Sequence, residues 1–201
     1  VNRDRKRIVA TAVAVVVVIS VVTVAGASGG RDSSRPTAFR AAGFTWLRPG
    51  ALPAGWSTRR LARSPARLPA PPDWQPEHGD AGTRTEALRT PTGQIAGYLN
   101  ATPRQGAETL RNWTTFRIAH NREEGDRKVR LLAGATGLRF RSGAGSCVLD
   151  SYRTESDHRY RELACIVSGR SATTVIVGAA PPRRWEDEAP TIERAIDSFT
   201  T

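Results

Sequence analysis

The longest apolar pattern in the chain comes first. Ile8 to Val24 is interrupted only by Thr11, Ser20 and Thr23, and no charge occurs from Ile8 to Gly30. A helix rises about 1.5 Å per residue, so roughly 20 residues cross a hydrocarbon layer of about 30 Å. Valine favours helix poorly in water. In lipid, the cost of unpaired backbone groups enforces it. The pattern predicts one transmembrane helix over 8–27. Arg5-Lys6-Arg7 on its N-terminal flank predicts a cytoplasmic stub over 1–7, with the remainder carried outside. The alternative is a secretory signal cleaved near Ala27, because Ala25-Gly26-Ala27 fits the small-x-small rule. The run is longer than the usual signal core of about 7–15 residues, which favours the anchor. No cysteine follows the run closely, so a lipid-modified terminus is disfavoured.

The next stretch, 28–79, has no sustained period. Residues 28–42 are small, polar and basic, as in a flexible tether. Seven prolines follow (Pro49, Pro53, Pro65, Pro69, Pro71, Pro72 and Pro76), a density hostile to helix and central strand. Phe44, Trp46, Trp56 and Trp74 lie among them. Such side chains are costly to leave in water. The stretch therefore reads as a Pro/Arg-rich linker, partly packed on the domain that follows.

Regular patterning occupies 80–201. Segments 83–90 and 94–101 flank Pro91-Thr92-Gly93, which predicts a hairpin. Thr102-Pro103-Arg104-Gln105 has the order of a capped helix start. The helix it opens would carry Leu110, Trp113, Phe116 and Ile118 and end at Gly125. Strands are predicted over 129–133, 138–141, 147–153, 160–167 and 173–179. A last helix carries Trp185, Ala189, Ile192, Ile196 and Phe199 on one stripe. Glu186, Asp187 and Glu188 suit its positive end. Pro190 must lie in its first turn or kink it.

The turn 154–158 is centred on residue 156. In an antiparallel pair, facing residues then share a constant sum, so Cys147 faces Cys165, Leu149 faces Leu163 and Tyr152 faces Tyr160. Outside the cytoplasm a Cys147–Cys165 disulfide is the expected state. The same register sets Asp150 against Glu162, a repulsion that Arg153 or Arg161 could offset.

Charge alters the picture less than its total suggests. The net charge is +11. Residues 1–30 carry +3, residues 31–72 carry +7, and residues 73–201 only +1. A nucleic-acid-binding domain would carry its own basic face, so nucleic acid is not an expected partner. The eight arginines of 31–72 suggest an arm for anionic envelope polymer or lipid. A solvated linker is the plainer reading.

The string Gly97-Tyr98-Leu99-Asn100-Ala101-Thr102-Pro103, a helical Trp113, successive strands, and Trp185 with terminal Ser198-Phe199 resemble the PsbP-like fold. More closely, they resemble exported or membrane-tethered domains of high-GC Gram-positive bacteria, including some appended to serine/threonine kinases. The resemblance covers roughly 80–201. It implies an α+β class: an antiparallel sheet flanked by helices as an α/β/α sandwich. Its members include photosystem accessory proteins and a nuclear-import factor. The shared positions are packing and capping residues, so the resemblance implies no catalytic, cofactor-binding or metal-ligating residue. The cysteine pair is a departure from it.

The chemistry-bearing motifs are sparse. Gly143-Ala-Gly-Ser-Cys147 lacks the Lys-Ser/Thr ending of a phosphate loop. No Gly-x-Ser-x-Gly elbow occurs. Arg122 to Lys128 mixes signs without calcium-loop spacing. Three functions follow as expectations. The first is a non-enzymatic extracytoplasmic binding or sensing module on a single-pass membrane anchor, with no cofactor and no identified protein partner. The second is a cell-envelope hydrolase using Ser146, or Cys147 with His120 or His158. The third is an anionic polymer or lipid binder acting through the 31–72 arm.

Overall fold

The computed structural model describes residues 43–201. The stub, the expected transmembrane helix over 8–27 and the first part of the tether lie outside them. Among the described residues, no helix is long and apolar enough to cross a membrane.

Among the described residues, two sheets and two helices form. Strands β1 (Ser57–Arg60) and β2 (Arg67–Ala70) make a two-stranded sheet. The large sheet has seven antiparallel strands in the order β3-β4-β5-β9-β8-β7-β6. These are β3 (Gln75–Glu77), β4 (Arg84–Arg89), β5 (Ile95–Pro103), β6 (Arg127–Arg139), β7 (Ala144–Arg153), β8 (Arg159–Ser168) and β9 (Thr173–Ala180). Helix α1 (Trp113–Glu123) carries the chain from β5 to the far edge at β6. The chain then meanders back until β9 pairs with β5. Helix α2 (Trp185–Ser198) follows.

Alternation along β7 and β8 sends side chains to two different layers. Cys147, Leu163, Cys165 and Val167 join Ile192 and Ile196 of α2, and Phe199 just after it, in the larger core, which also takes Phe44, Leu61, Leu68 and Trp74. Val148, Ala164 and Ile166 point to the other face, under Trp113 of α1. With both faces covered, the middle of β8 and most of β9 are continuous apolar runs, Leu163–Val167 and Val175–Ala180. Trp113 is 1% exposed, and its indole N–H donates to the Ala164 carbonyl at 2.9 Å.

The register across β7–β8 is the one the turn arithmetic predicts, including Cys147 opposite Cys165, and the two sulfurs are bonded. The Pro91-Thr92-Gly93 hairpin also forms.

Three expectations meet the structure differently. First, residues 43–79 supply β1, β2, β3 and four large side chains to the core, so the packing expected of part of the Pro/Arg-rich stretch is extensive over its described residues. The prolines are accommodated because β1–β2 stands apart from the main sheet and β3 lies on its edge. Second, Thr102 and Pro103 end β5 rather than start a helix, since they pair with Val175 and Thr174 of β9. Third, 129–133 and the first half of 138–141 belong to one irregular edge strand, β6, which ends at Arg139 and whose pairing with β7 shifts register three times. Gly125 does end α1, at φ +89°, a conformation glycine adopts without strain. Pro190 lies inside α2, beyond its first turn.

Candidate functional site

The ionisable groups sort into two environments. One is buried beneath α1. Asp150 and Glu162 face each other across β7–β8, and both are 0% exposed. The expected compensation from Arg153 or Arg161 does not occur. Arg153 pairs with Asp157 in the turn, and Arg161 reaches Glu186 and the Trp185 ring. Arg117 of α1 supplies the charge instead, 2.7 Å from Glu162. Burial opposes the Arg117 charge, but Glu162, the two tyrosines Tyr152 and Tyr98, and Asp150 outweigh it and raise its pKa.

Hydrogen bonds complete the network. Tyr152 donates its hydroxyl to Glu162 at 3.2 Å, and Tyr98 meets Tyr152 at 3.1 Å. Burial, followed by neighbouring Glu162 or tyrosine charge, raises both phenols. Asn121 donates to Asp150 Oδ2 at 3.3 Å. Burial first, then the Glu162 charge, pushes the Asp150 carboxyl up to about 8. Asp150 Oδ1 and Asn121 Oδ1 find no hydrogen-bond partner among the described residues. A protonated Asp150 supplies a donor where both oxygens lack one. Asp126, beyond the helix end, is pushed up to about 7, by burial and then by Glu162 and Glu124.

Two facing carboxylates, one of them with a raised pKa, are the raw material of acid–base catalysis. Here they are sealed under a helix, and no substrate atom can approach Glu162 or Asp150 in this arrangement. Their geometry fixes α1 on the sheet.

The second environment is one end of the large sheet. Antiparallel order brings together the end of β5, the β6–β7 turn and the β8–β9 turn. Arg104, Arg139, Arg141 and Arg170 project there, joined by Arg48, and all five are exposed. Arg48, Pro49, Arg139, Phe140 and Arg141 line a concavity of about 390 Å³. Arg104, Arg170, Ser171 and Thr173 line another of about 430 Å³, with Gly169 and Ala172. Among the described residues, every arginine–carboxylate pair draws on Arg59, Arg89, Arg117, Arg127, Arg153, Arg161 or Arg184, never on these five. The nearby carboxylates serve the backbone. Asp197 accepts the Arg48 N–H at 2.8 Å, and Glu108 accepts the Gln105 and Gly106 N–H groups at 2.6 and 2.8 Å.

No family model and no curated protein matches this sequence. Similarity appears in solved structures. The chain superposes on the cyanobacterial PsbP protein (CyanoP) from Synechocystis sp. PCC 6803 with a TM-score of 0.52 at 15% identity, covering 74% of this chain and 93% of that one. The fold is PsbP-like. Two further structures are similar at a lower level. A putative regulator of unknown function from Pseudomonas aeruginosa has a TM-score of 0.48 at 14% identity, covering 73% of this chain and 96% of that one. LpqN of Mycobacterium tuberculosis, described as involved in cell envelope biogenesis, has a TM-score of 0.40 at 15% identity over 73% and 91%. The PsbP-like α+β sandwich inferred from Gly97–Pro103, Trp113 and Trp185 is thus the observed architecture.

The residues singled out for nucleophilic chemistry do not converge. Cys147 is bonded to Cys165 and fully buried. Ser146 is also buried and donates its hydroxyl to the Leu110 carbonyl at 2.6 Å. His120 stacks on Phe116 and lies 3.2 Å from Glu124. His158 sits in the exposed β7–β8 turn, and His78 is exposed after β3. The described part of the 31–72 arm is partly engaged, with Arg48, Arg60 and Arg63 outside any ion pair. Arg59 pairs with buried Glu86, and Arg67 bridges to Thr200. The arginine end escaped sequence reasoning because its members come from four distant segments. Its one signal was an arginine in each of several small-residue turns.

Proposed function

We propose that this protein is a non-enzymatic extracytoplasmic binding module, tethered to the cell membrane by the apolar segment at 8–27. The observation that carries the reading is the division of its ionisable groups. The buried carboxylates Asp150 and Glu162 are locked under α1 around Arg117, while the open concavities present arginines. Such an arrangement recognises an anionic partner by charge and performs no proton transfer on it. The Cys147–Cys165 bond supports the outside location, since disulfides persist in oxidising compartments. The tether is the chain preceding Gly43, with its basic flank retained inside.

Of the other readings, the anionic binder keeps its chemistry but moves from the 31–72 arm to the end of the sheet. The hydrolase reading has no support from Ser146, whose hydroxyl is committed inside the core.

The test uses the full chain in a bacterial envelope. An alkaline phosphatase fused after Thr201 is expected to be active, and a membrane-impermeant thiol reagent to label neither cysteine until reductant and denaturant are added. An inactive fusion with both thiols freely alkylated removes the reading.

A further inference from the structure

The arginine end of the large sheet has a geometry that narrows its partner. It rests on the extracytoplasmic reading above and deepens it. We infer that this end is a docking face for the anionic headgroups of the bilayer to which the chain is tethered.

Four observations carry the inference. First, the charges are uncommitted. Arg48, Arg104, Arg139, Arg141 and Arg170 make no ion pair and no guanidinium hydrogen bond among the described residues. At the other end of the sheet the charges are mixed: Arg127 and Arg153 are neutralised by Asp157 and Arg89 by Glu77, while Arg122, Arg130 and Arg159 have no ion pair among the described residues and serve as the comparison set.

Second, the charges are spread. They line two shallow concavities, on different segments, instead of converging on one deep pocket. A single small anion would be held by convergent donors. A plane of phosphates is met by dispersed ones.

Third, the supporting turns are low. Ser142, Gly143 and Ala144 follow Arg141, while Gly169, Ser171 and Ala172 surround Arg170. At Gly143 a methyl group would lie 2.0 Å from the Ser168 carbonyl oxygen. The two turns are therefore tucked against each other, and the arginines stand above small neighbours. Asp197 and Glu193, half-buried on α2, are the carboxylates nearest this end on that helix, and Asp197 is already bonded to the Arg48 N–H.

Fourth, the tether has the right length. Residues 25–42 separate the apolar run from Gly43. Even fully extended, so short a stretch reaches no more than about 65 Å, and confinement on this scale gives an effective concentration in the millimolar range, about 10⁻³ M. The described chain begins beside Ala133 of β6, where a methyl on Gly43 would come 2.8 Å from the Ala133 Cβ, and reaches the arginine end by Arg48. Weak headgroup contacts that would not recruit a free protein then suffice to orient a tethered one.

The test separates membrane attraction from attraction of any anion. The 43–201 fragment contains every described element, both cores, both sheets and both helices, and is used once a cooperative melting transition shows that it folds. It is floated with vesicles of phosphatidylcholine alone, and with vesicles holding roughly one-third phosphatidylglycerol. Binding is expected only to the anionic vesicles, weakening as salt shortens the screening length from about 10 Å toward 3 Å. The variant R139E/R141E/R170E is expected to bind at least about tenfold more weakly. A variant of equal charge change at the other end, R122E/R130E/R159E, is expected to lose less than about a third of that on the logarithmic scale. Both variants are checked for an unchanged melting transition. Equal losses in the two variants overturn the inference, because net charge alone would then explain binding. Binding to soluble poly(glycerol phosphate) without binding to anionic vesicles also overturns it. Neither result touches the topology of the chain, which the phosphatase fusion measures separately.

Discussion

Asp150 shows how far one residue's chemistry depends on its neighbours. On strand spacing alone it repels Glu162. In the fold, Arg117 answers Glu162, and Asp150 resolves its own conflict by holding a proton, with a pKa of about 8 against an ordinary 3.8. The folded state therefore binds more protons than the unfolded chain between those values. Stability falls as pH rises through the window from about 4 to about 8, and is flat with respect to this group below it. D150N removes the titration and keeps an oxygen to accept from Asn121. The variant is expected to exceed wild type in urea-unfolding free energy at pH 8 by more than about 1 kcal/mol, the gap narrowing toward pH 4. Parallel pH profiles for the two proteins would show that Asp150 is ionised in the fold. Removing Arg117 acts oppositely, leaving Glu162 charged and buried.

Among the elements, α2 illustrates a contact that both partners must permit. Its apolar stripe was legible in the sequence, from Trp185 through Ile192 and Ile196 to Phe199, because helical periodicity is local. What the stripe rests on was not. Gly178 of β9 leaves room for Ile192, and a methyl there would stand 2.4 Å from Ile192 Cγ2 and 3.1 Å from Leu99 Cδ2. G178A is expected to cost about 1–3 kcal/mol in thermal or denaturant unfolding. Adding I192A should cost less in that background than in wild type, because the two groups compete for one space. Additive losses would place the strain elsewhere. The misread helix start at Thr102 belongs to the same scale. Its capping order was sound locally, but Thr102 and Pro103 had a stronger partner some 70 residues away, in β9.

For the whole molecule, the decisive fact is where the folded unit begins. Phe44, Leu61, Leu68 and Trp74 are each no more than 4% exposed, and Arg59 is the partner of buried Glu86. A fragment of residues 80–201 is therefore expected to lose cooperative thermal unfolding and near-UV dichroism, whereas 43–201 keeps both. Burial of these four side chains is worth roughly 1.5–3 kcal/mol each, together comparable to the net stability of an ordinary domain, about 5–15 kcal/mol. Matching melting transitions for the two fragments would show that 43–79 is dispensable. The arginine end, too, is a property of this scale, assembled from turns that only the strand order β5-β9-β8-β7-β6 sets side by side.

The sequence by itself determined the features whose cause lies within a few residues. These are the apolar opening run, the hairpin at Pro91-Thr92-Gly93, the stripe of α2, and the β7–β8 register that brings Cys147 to Cys165, because one short turn counts it off. Only the tertiary structure decided which helix neutralises Glu162, which chain segment closes the core over α2, and which arginines are left without a carboxylate. Each of those is settled by competition among groups far apart in the chain, and pairing across such distances is fixed by packing energy that no local pattern records.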